Sequence, residues 1–382
     1  MLKAAPKSAC AVHYLTLALF VRITLTAGGE TSSSRVLGDV TTMNRVYMEP
    51  VSGRNESFLV FVPPATRSKV DENGVPPALV SFAHGAFLLP ELYEWFGHSV
   101  AATGRVVVMA RVPGIPDSRR LALAAAAGFL GAREEAKAPS SESSPLAGIV
   151  GDIWVAAGHS LGGGTSFLSA DAHIIGVPEE GETGGKTGST PLPAGLLTLS
   201  AGAWTLPPAT TSAARIVNGT PALLLTGSED CIDPPENNSL KLYNALYGTN
   251  LGLGEKEQSN YDNDGKGNCK GVVSIMGGCH CNFASFNAGC SVTQTRCGAK
   301  GCMRLREGQQ ATTQALLTPW LDLVEQTVVA KATGEWERSE SKELLRATFR
   351  SGSSSFATVL DELVANGAVS ILAQDWGGCA VY

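Results

Sequence analysis

The sequence predicts an α/β fold, a mostly parallel sheet with helices on both faces, and three observations carry that expectation. Short, nearly continuous apolar runs at 58–62, 78–83, 105–110, 153–157, 194–199, 221–226 and 272–276 are bounded by turn-forming residues, as strands buried on both faces require. Helical spacing recurs between these runs. The chain is 44% apolar and 17% charged, with 29 basic against 35 acidic residues and a formal net charge of −6, which excludes a solvated disordered chain and argues against nucleic acid as a partner. A length of 382 residues suits one large unit with terminal additions; such a unit buries ~75% of its unfolded surface.

Taken in order, the run at 58–62 ends at Pro63-Pro64, and the next follows a segment with Asn73-Gly74 and Pro76-Pro77. A helix over 88–102 is indicated by Leu92, Trp95, Phe96 and Val100, and the alanine-rich stretch 117–137 is a good helix former. Further helices are expected near 237–247 and over 309–330. In the latter, Leu317, Trp320, Leu321, Val324 and Val328 would pack one side onto the sheet. Segments 138–146, 178–192 and 255–270 have the polar, turn-rich composition of surface insertions. Beyond Gly334 two amphipathic helices are expected, near 339–348 and 353–364, before an apolar end. No repeat is visible.

The N-terminus has the layout of a cleaved secretory signal. Lys3 and Lys7 precede an apolar stretch over 11–21, and small residues follow at Thr26, Ala27 and Gly28. The stretch is shorter than the ~20 apolar residues of a bilayer span, so a membrane anchor is the lesser alternative. Six of the nine cysteines, at 231, 269, 279, 281, 290 and 297, lie close together, with Cys302 beyond and Cys10 and Cys379 near the ends. In a secreted chain this clustering indicates disulfides of unassigned connectivity.

The most informative string is Gly158-His159-Ser160-Leu161-Gly162-Gly163-Gly164, a Gly-x-Ser-x-Gly elbow after an expected strand and before an expected helix over 165–172. A sharp strand-to-helix turn strains its apex residue and presents the Ser160 hydroxyl at the sheet's C-terminal edge. There the helix N-terminus aims free amides at a developing oxyanion. His159, just before the apex, is expected to point away and pack.

A serine hydroxyl needs a base and an orienting carboxylate, which in this architecture follow it in the chain. Only His173 and His280 lie beyond Ser160. His280, on a loop after the run 272–276, stands where a base is needed. Asp230, Asp233 and Glu229 compete as the carboxylate in Gly227-Ser228-Glu229-Asp230-Cys231-Ile232-Asp233-Pro234. Asp230 is favoured, a few residues past a strand end, whereas Asp233 before Pro234 has the look of a turn residue leading into a helix. The oxyanion amides are expected from Leu161 and from Ala86 in the loop His84-Gly85-Ala86-Phe87, with Phe87 the alternative and His84 bracing the loop.

His84-Gly85, the elbow around Ser160, Gly227 to Pro234 and Cys279-His280-Cys281-Asn282-Phe283 together resemble the α/β-hydrolase superfamily, over roughly residues 55–330. Within it the chain resembles chlorophyllases and the polyester-hydrolase or dienelactone-hydrolase-like serine esterases. The resemblance implies an eight-stranded, mainly parallel sheet and cleavage of carboxylic esters through an acyl-enzyme. Its acid followed by Ile-x-Pro aligns with Asp230. Leu161 stands where chlorophyllases usually carry arginine, and serine at 160 excludes the cysteine mechanism of dienelactone hydrolases proper.

The expected organisation is therefore a signal peptide at 1–28, an α/β-hydrolase catalytic domain at 35–332 and a C-terminal helical extension at 333–382. The expected partner is a small-molecule or lipid-like ester, met in the secretory pathway, with no stable membrane span after signal removal and no metal or organic cofactor required. Two alternatives stand beside this. One is a hydrolase-fold binding protein without turnover; the other is a metal module built on the cysteines around His280, whose spacing lacks the paired pattern of a zinc site.

Overall fold

A computed structural model describes residues 35–37, 40–49, 51–64, 76–114, 117–137, 144–170, 191–203, 220–246, 269–285, 290, 292–294, 306–332 and 355–376. The expected signal segment, the helix expected at 339–348 and most of the three expected insertions lie outside them. Ten strands form one sheet: β1 (Arg35–Leu37), β2 (Val40–Met48), β3 (Asn55–Val62), β4 (Leu79–Ala83), β5 (Val107–Arg111), β6 (Trp154–His159), β7 (Gly195–Leu199), β8 (Ala222–Gly227), β9 (Lys270–Ile275) and β10 (Val369–Asp375). Their order is β1-β2-β3-β5-β4-β6-β7-β8-β9-β10. The strands from β5 through β9 pair in parallel, while β1, β2 and β3 at one edge and β10 at the other pair antiparallel. Strands β2 to β9 make the eight-stranded, mainly parallel sheet of the expected α/β-hydrolase fold, and β1 and β10 add one strand at each edge.

The central strands are buried along their whole length, which is why they read as unbroken apolar runs. Among the described residues, six helices cover the sheet: α1 (Glu94–Ala101), α2 (Ser118–Lys137), α3 (Leu161–Leu168), α4 (Ser239–Leu246), α5 (Arg306–Ala332) and α6 (Phe356–Ala365). On one face Phe96, Leu317, Trp320, Leu321, Val324, Phe356 and Leu360 pack against Phe82, Leu197, Leu223 and Val273. On the other, Leu121, Phe129, Phe167, Leu242 and Tyr243 pack against Val108, Trp154, Leu196 and Leu224. Phe129 stacks on Trp154 with ring centroids 5.2 Å apart.

Three elements differ from the sequence reading. Strand β2 was not legible, because its sequence VTTMNRVYM faces water over much of its length and has no apolar run; its eight-residue register with β3 holds it in place. The helix expected over 88–102 is shortened by Pro90, which opens a 3₁₀ turn (Pro90–Tyr93) ahead of α1. The segment after residue 333, expected as a helical extension, supplies the helix α6 and also the strand β10, which joins the sheet against β9. Trp376, just past β10, packs on Phe356 of α6 with centroids 5.2 Å apart and closes that edge.

Helix α5 is fixed to the sheet along its C-terminal half. The buried Arg105 donates to Glu325 at 2.8 and 2.7 Å and to Asp322 at 2.5 Å, and Glu325 also accepts the Ala78 amide at 2.8 Å. Trp320, fully buried, carries the apolar contact between them. Trp320→Ala is expected to cost about 3–5 kcal/mol of unfolding free energy, read from urea denaturation; a loss below about 1 kcal/mol would show that α5 is not anchored through this side chain.

Candidate active site

The elbow at Ser160 follows from the sheet. Strand β6 runs buried to His159, and α3 begins at Leu161, so the chain reverses at one residue. Ser160 takes φ 56° and ψ −119°, a conformation costly for a residue with a Cβ, by ~1–3 kcal/mol. Surrounding bonds hold it there. Its amide donates to the Leu199 carbonyl at 2.9 Å, and its carbonyl accepts from Gly164 at 3.0 Å and Gly202 at 2.9 Å. A side chain at Gly162 would run into the Ala83 carbonyl, and one at Gly158 into the Gly162 carbonyl, so both positions need glycine for close approach.

His280 sits where the sequence placed it, on a 3₁₀ turn (His280–Phe283) reached from β9 through Gly277 and Gly278. Its Nδ1 lies 2.9 Å from Asp230 Oδ2 and 3.8 Å from Asp233 Oδ2. Asp230 Oδ1 accepts the amides of Ile232 at 3.0 Å and Asp233 at 2.8 Å, which fixes the carboxylate beside the imidazole. The Ser160 hydroxyl lies 3.5 Å from Asp233 Oδ2 and is not hydrogen-bonded to His280. Asp233, expected as a turn residue, is fully buried beside both groups. Burial by itself would lower the His280 pKa, but the Asp230 charge, the hydrogen bond to it and the Asp233 charge together raise it above the ordinary histidine value.

On the loop after β4, the structure distinguishes the amides of Ala86 and Phe87. Phe87, in left-handed backbone at φ 60°, spends its amide on the Gly114 carbonyl at 3.0 Å, which removes it as a donor. The Ala86 and Leu161 amides have no hydrogen-bond partner among the described residues. Gly85 comes close to Ser160 and His159, where a Cβ would meet the His159 ring at 3.0 Å. His84 braces the loop from below: its Nε2 accepts the Val112 amide at 3.3 Å, and its Nδ1 donates to the Gly85 carbonyl at 2.8 Å. Leu88 goes to the core, while Leu89 is 36% exposed.

Four further side chains tie the loops together, and three of them gave no signal in sequence. His159, expected to pack, is hydrogen-bonded at both ring nitrogens. Its Nε2 donates to the His280 carbonyl at 3.0 Å, and its Nδ1 accepts from the Tyr93 hydroxyl at 2.7 Å, which itself accepts the Gly85 amide at 3.2 Å. Burial, then the neighbouring His280 charge, keeps His159 neutral by lowering its pKa well below the usual value. Gln309 of α5 clamps Cys279, accepting its amide at 2.8 Å and donating to its carbonyl at 2.9 Å. Gln294 accepts the Cys281 amide at 2.9 Å and donates to the Glu229 carbonyl at 3.3 Å. Tyr93, Gln294 and Gln309 are ordinary residues 8 to 66 positions from the partners they hold, so only the folded chain reveals them.

Cys281 and Cys290 form a disulfide, and Cys231, Cys269 and Cys279 are disulfide-bonded too. Sulfurs bonded in this way are not thiolate ligands, which takes Cys279, Cys281 and Cys290 from the metal module expected around His280. Among the described residues no helix is long and apolar enough to cross a membrane.

No family model matches the chain. No curated protein sequence matches it. Among solved structures, the chain is similar to Thermogutta terrifontis esterase 2 phosphoramylated by tabun, at 12% identity over 66% of this chain and 91% of that one, with a TM-score of 0.42.

The two neighbouring histidines are expected to titrate far apart. Because the His280 pKa is raised, its charged form contributes stability that is fully present below the unfolded value of about 6.5 and is lost as pH rises through the folded value. Imidazole NMR titration should find His280 protonating above ~6.5 and His159 staying neutral well below it; the reverse order would remove the Asp230–His280 pair from the description.

Proposed function

We propose that the protein is a serine hydrolase of carboxylic esters, with Ser160 as nucleophile, His280 as base, Asp230 as its orienting carboxylate and the amides of Leu161 and Ala86 as oxyanion donors. One observation carries the reading. A single oxygen, Asp233 Oδ2, lies 3.5 Å from the Ser160 hydroxyl and 3.8 Å from His280 Nδ1, so a strained serine and a carboxylate-held imidazole flank one point at the sheet's C-terminal edge. Catalytic hydrogen bonds are often open in an unliganded site and tighten with substrate. On this reading the Ser160 hydroxyl turns from Asp233 to His280 when substrate binds.

In the reaction, Oγ attacks the ester carbonyl as its proton passes to His280 Nε2. Asp230 holds Nδ1–H and balances the imidazolium, and the two free amides receive the oxyanion. Collapse expels the alcohol, which takes the proton from Nε2. Water then attacks the acyl-enzyme by the same route and releases the acid. The Asp230 side chain, accepting two amides and Nδ1–H, acts as a charged acceptor that orients the ring.

The substrate is a small-molecule or lipid-like ester, in keeping with the partly exposed apolar Leu89 beside the oxyanion loop. The finer likeness to chlorophyllases and to polyester or lipase-type esterases belongs to this same reading, as does a secretory location suited to the disulfides. A binding protein that keeps the fold without turnover is the rival. A fluorophosphonate probe should label the parent and leave Ser160→Ala unlabelled, and a panel of p-nitrophenyl esters beside chlorophyll, phospholipid and polyester should show turnover falling about 10⁵–10⁶-fold in Ser160→Ala and ~10⁴-fold in Asp230→Asn. An unlabelled parent, inert on every ester, would favour the binder.

A further inference from the structure

We infer that Asp233 is a second, distinct carboxylate of the site, a positioning residue that holds the Ser160 hydroxyl in the resting protein and shares with Asp230 the stabilisation of the His280 imidazolium. The inference rests on the serine-hydrolase reading and deepens it. Its ground is geometric. The Asp233 side chain is fully buried, and its Oδ2 is within 3.5 Å of Ser160 Oγ and 3.8 Å of His280 Nδ1, closer to the reacting groups than a residue that merely turns the chain needs to be.

Two bonds give Asp233 this position. Its own amide donates to Asp230 Oδ1 at 2.8 Å, so the two carboxylates are set in fixed relation by one short loop. Pro234 follows directly and accepts the amides of Asn237 at 3.1 Å and Asn238 at 3.1 Å, which anchors the chain on the other side.

The two carboxylates divide the work by distance. Asp230 makes the 2.9 Å hydrogen bond that selects the ring orientation, and Asp233 at 3.8 Å contributes charge without competing for that bond. Ser160 has one hydroxyl proton. While it points to Asp233 it cannot point to His280, so the resting serine is held back until rotation of the side chain brings the hydroxyl to Nε2. Once the proton has crossed, His280 is cationic with two carboxylates beside it. The other ring beside the imidazole, that of His159 with centroids 4.7 Å apart, is kept neutral by burial, and the uncharged Gln309 and Gln294 bond the backbone on either side of His280, at Cys279 and Cys281.

The test reads the charge on His280 directly. In the full chain labelled at histidine, the His280 ring should titrate about one pH unit lower in Asp233→Asn than in the parent, in line with the loss of an opposite charge within ~4–6 Å. Asp233→Ser serves as a second variant should the asparagine misfold, and should give the same downward shift. The acid limb of kcat/KM on a p-nitrophenyl ester should move down with it, while the plateau falls by much less than the ~10⁴-fold of Asp230→Asn. A His280 titration unchanged in both variants overturns the inference, as does a plateau loss in Asp233→Asn equal to that in Asp230→Asn. The titration needs no turnover, so failure of the esterase reading shows separately, as a parent that hydrolyses no ester and takes no fluorophosphonate.

Discussion

A backbone turned the wrong way at one residue organises the site. Ser160 can keep its left-handed conformation only because strand β6, helix α3 and the end of β7 over-determine it through three backbone hydrogen bonds. Packing supplies the force: β6 is buried along its whole length and α3 packs against it, so neither end of the turn can relax into solvent. Strain of this kind survives where the surrounding core outweighs it, and here it fixes where a hydroxyl emerges from the sheet.

The remaining groups are brought to that point by separate loops, each braced by a buried polar side chain. Gln309 reaches from α5 to the residue before His280, and His84 holds the oxyanion loop against the end of β5. The chain of hydrogen bonds from Gly85 through Tyr93 and His159 to the His280 carbonyl joins the oxyanion loop to the base. These braces work because each is satisfied away from water. A buried amide left unpaired costs ~1–3 kcal/mol, so each loop has a strong preference for the one geometry that pairs it. The Cys281–Cys290 disulfide adds a covalent limit on the same loop.

Electrostatically the site is asymmetric. Two buried carboxylates lie on one side of the His280 ring, and a neutral histidine lies on another. A buried negative pair tolerates a proton arriving on the imidazole and opposes a second negative group close by. The free amides of α3 and the Ala86 loop belong to other elements than the carboxylates and the ring. His280 and these amides thus occupy different loops, held in position by the same sheet.

Much of this was written locally and could be read locally. Apolar runs gave the central strands because a strand buried on both faces must be apolar throughout, and the elbow announced Ser160 because close backbone approach leaves only glycine at 158 and 162. Position relative to the strand ends was enough to nominate His280 and Asp230. Strand β2 and the pairing of β10 escaped because a strand at or next to the sheet edge is specified by its partners' hydrogen bonds rather than by its own apolarity. The placement of Asp233 against both Ser160 and His280, the two-sided bonding of His159, and the reach of Gln309 across the site were decided by tertiary structure alone. Each is a contact between residues far apart in the chain, and a side chain's partners across such distances exist only once the core has closed.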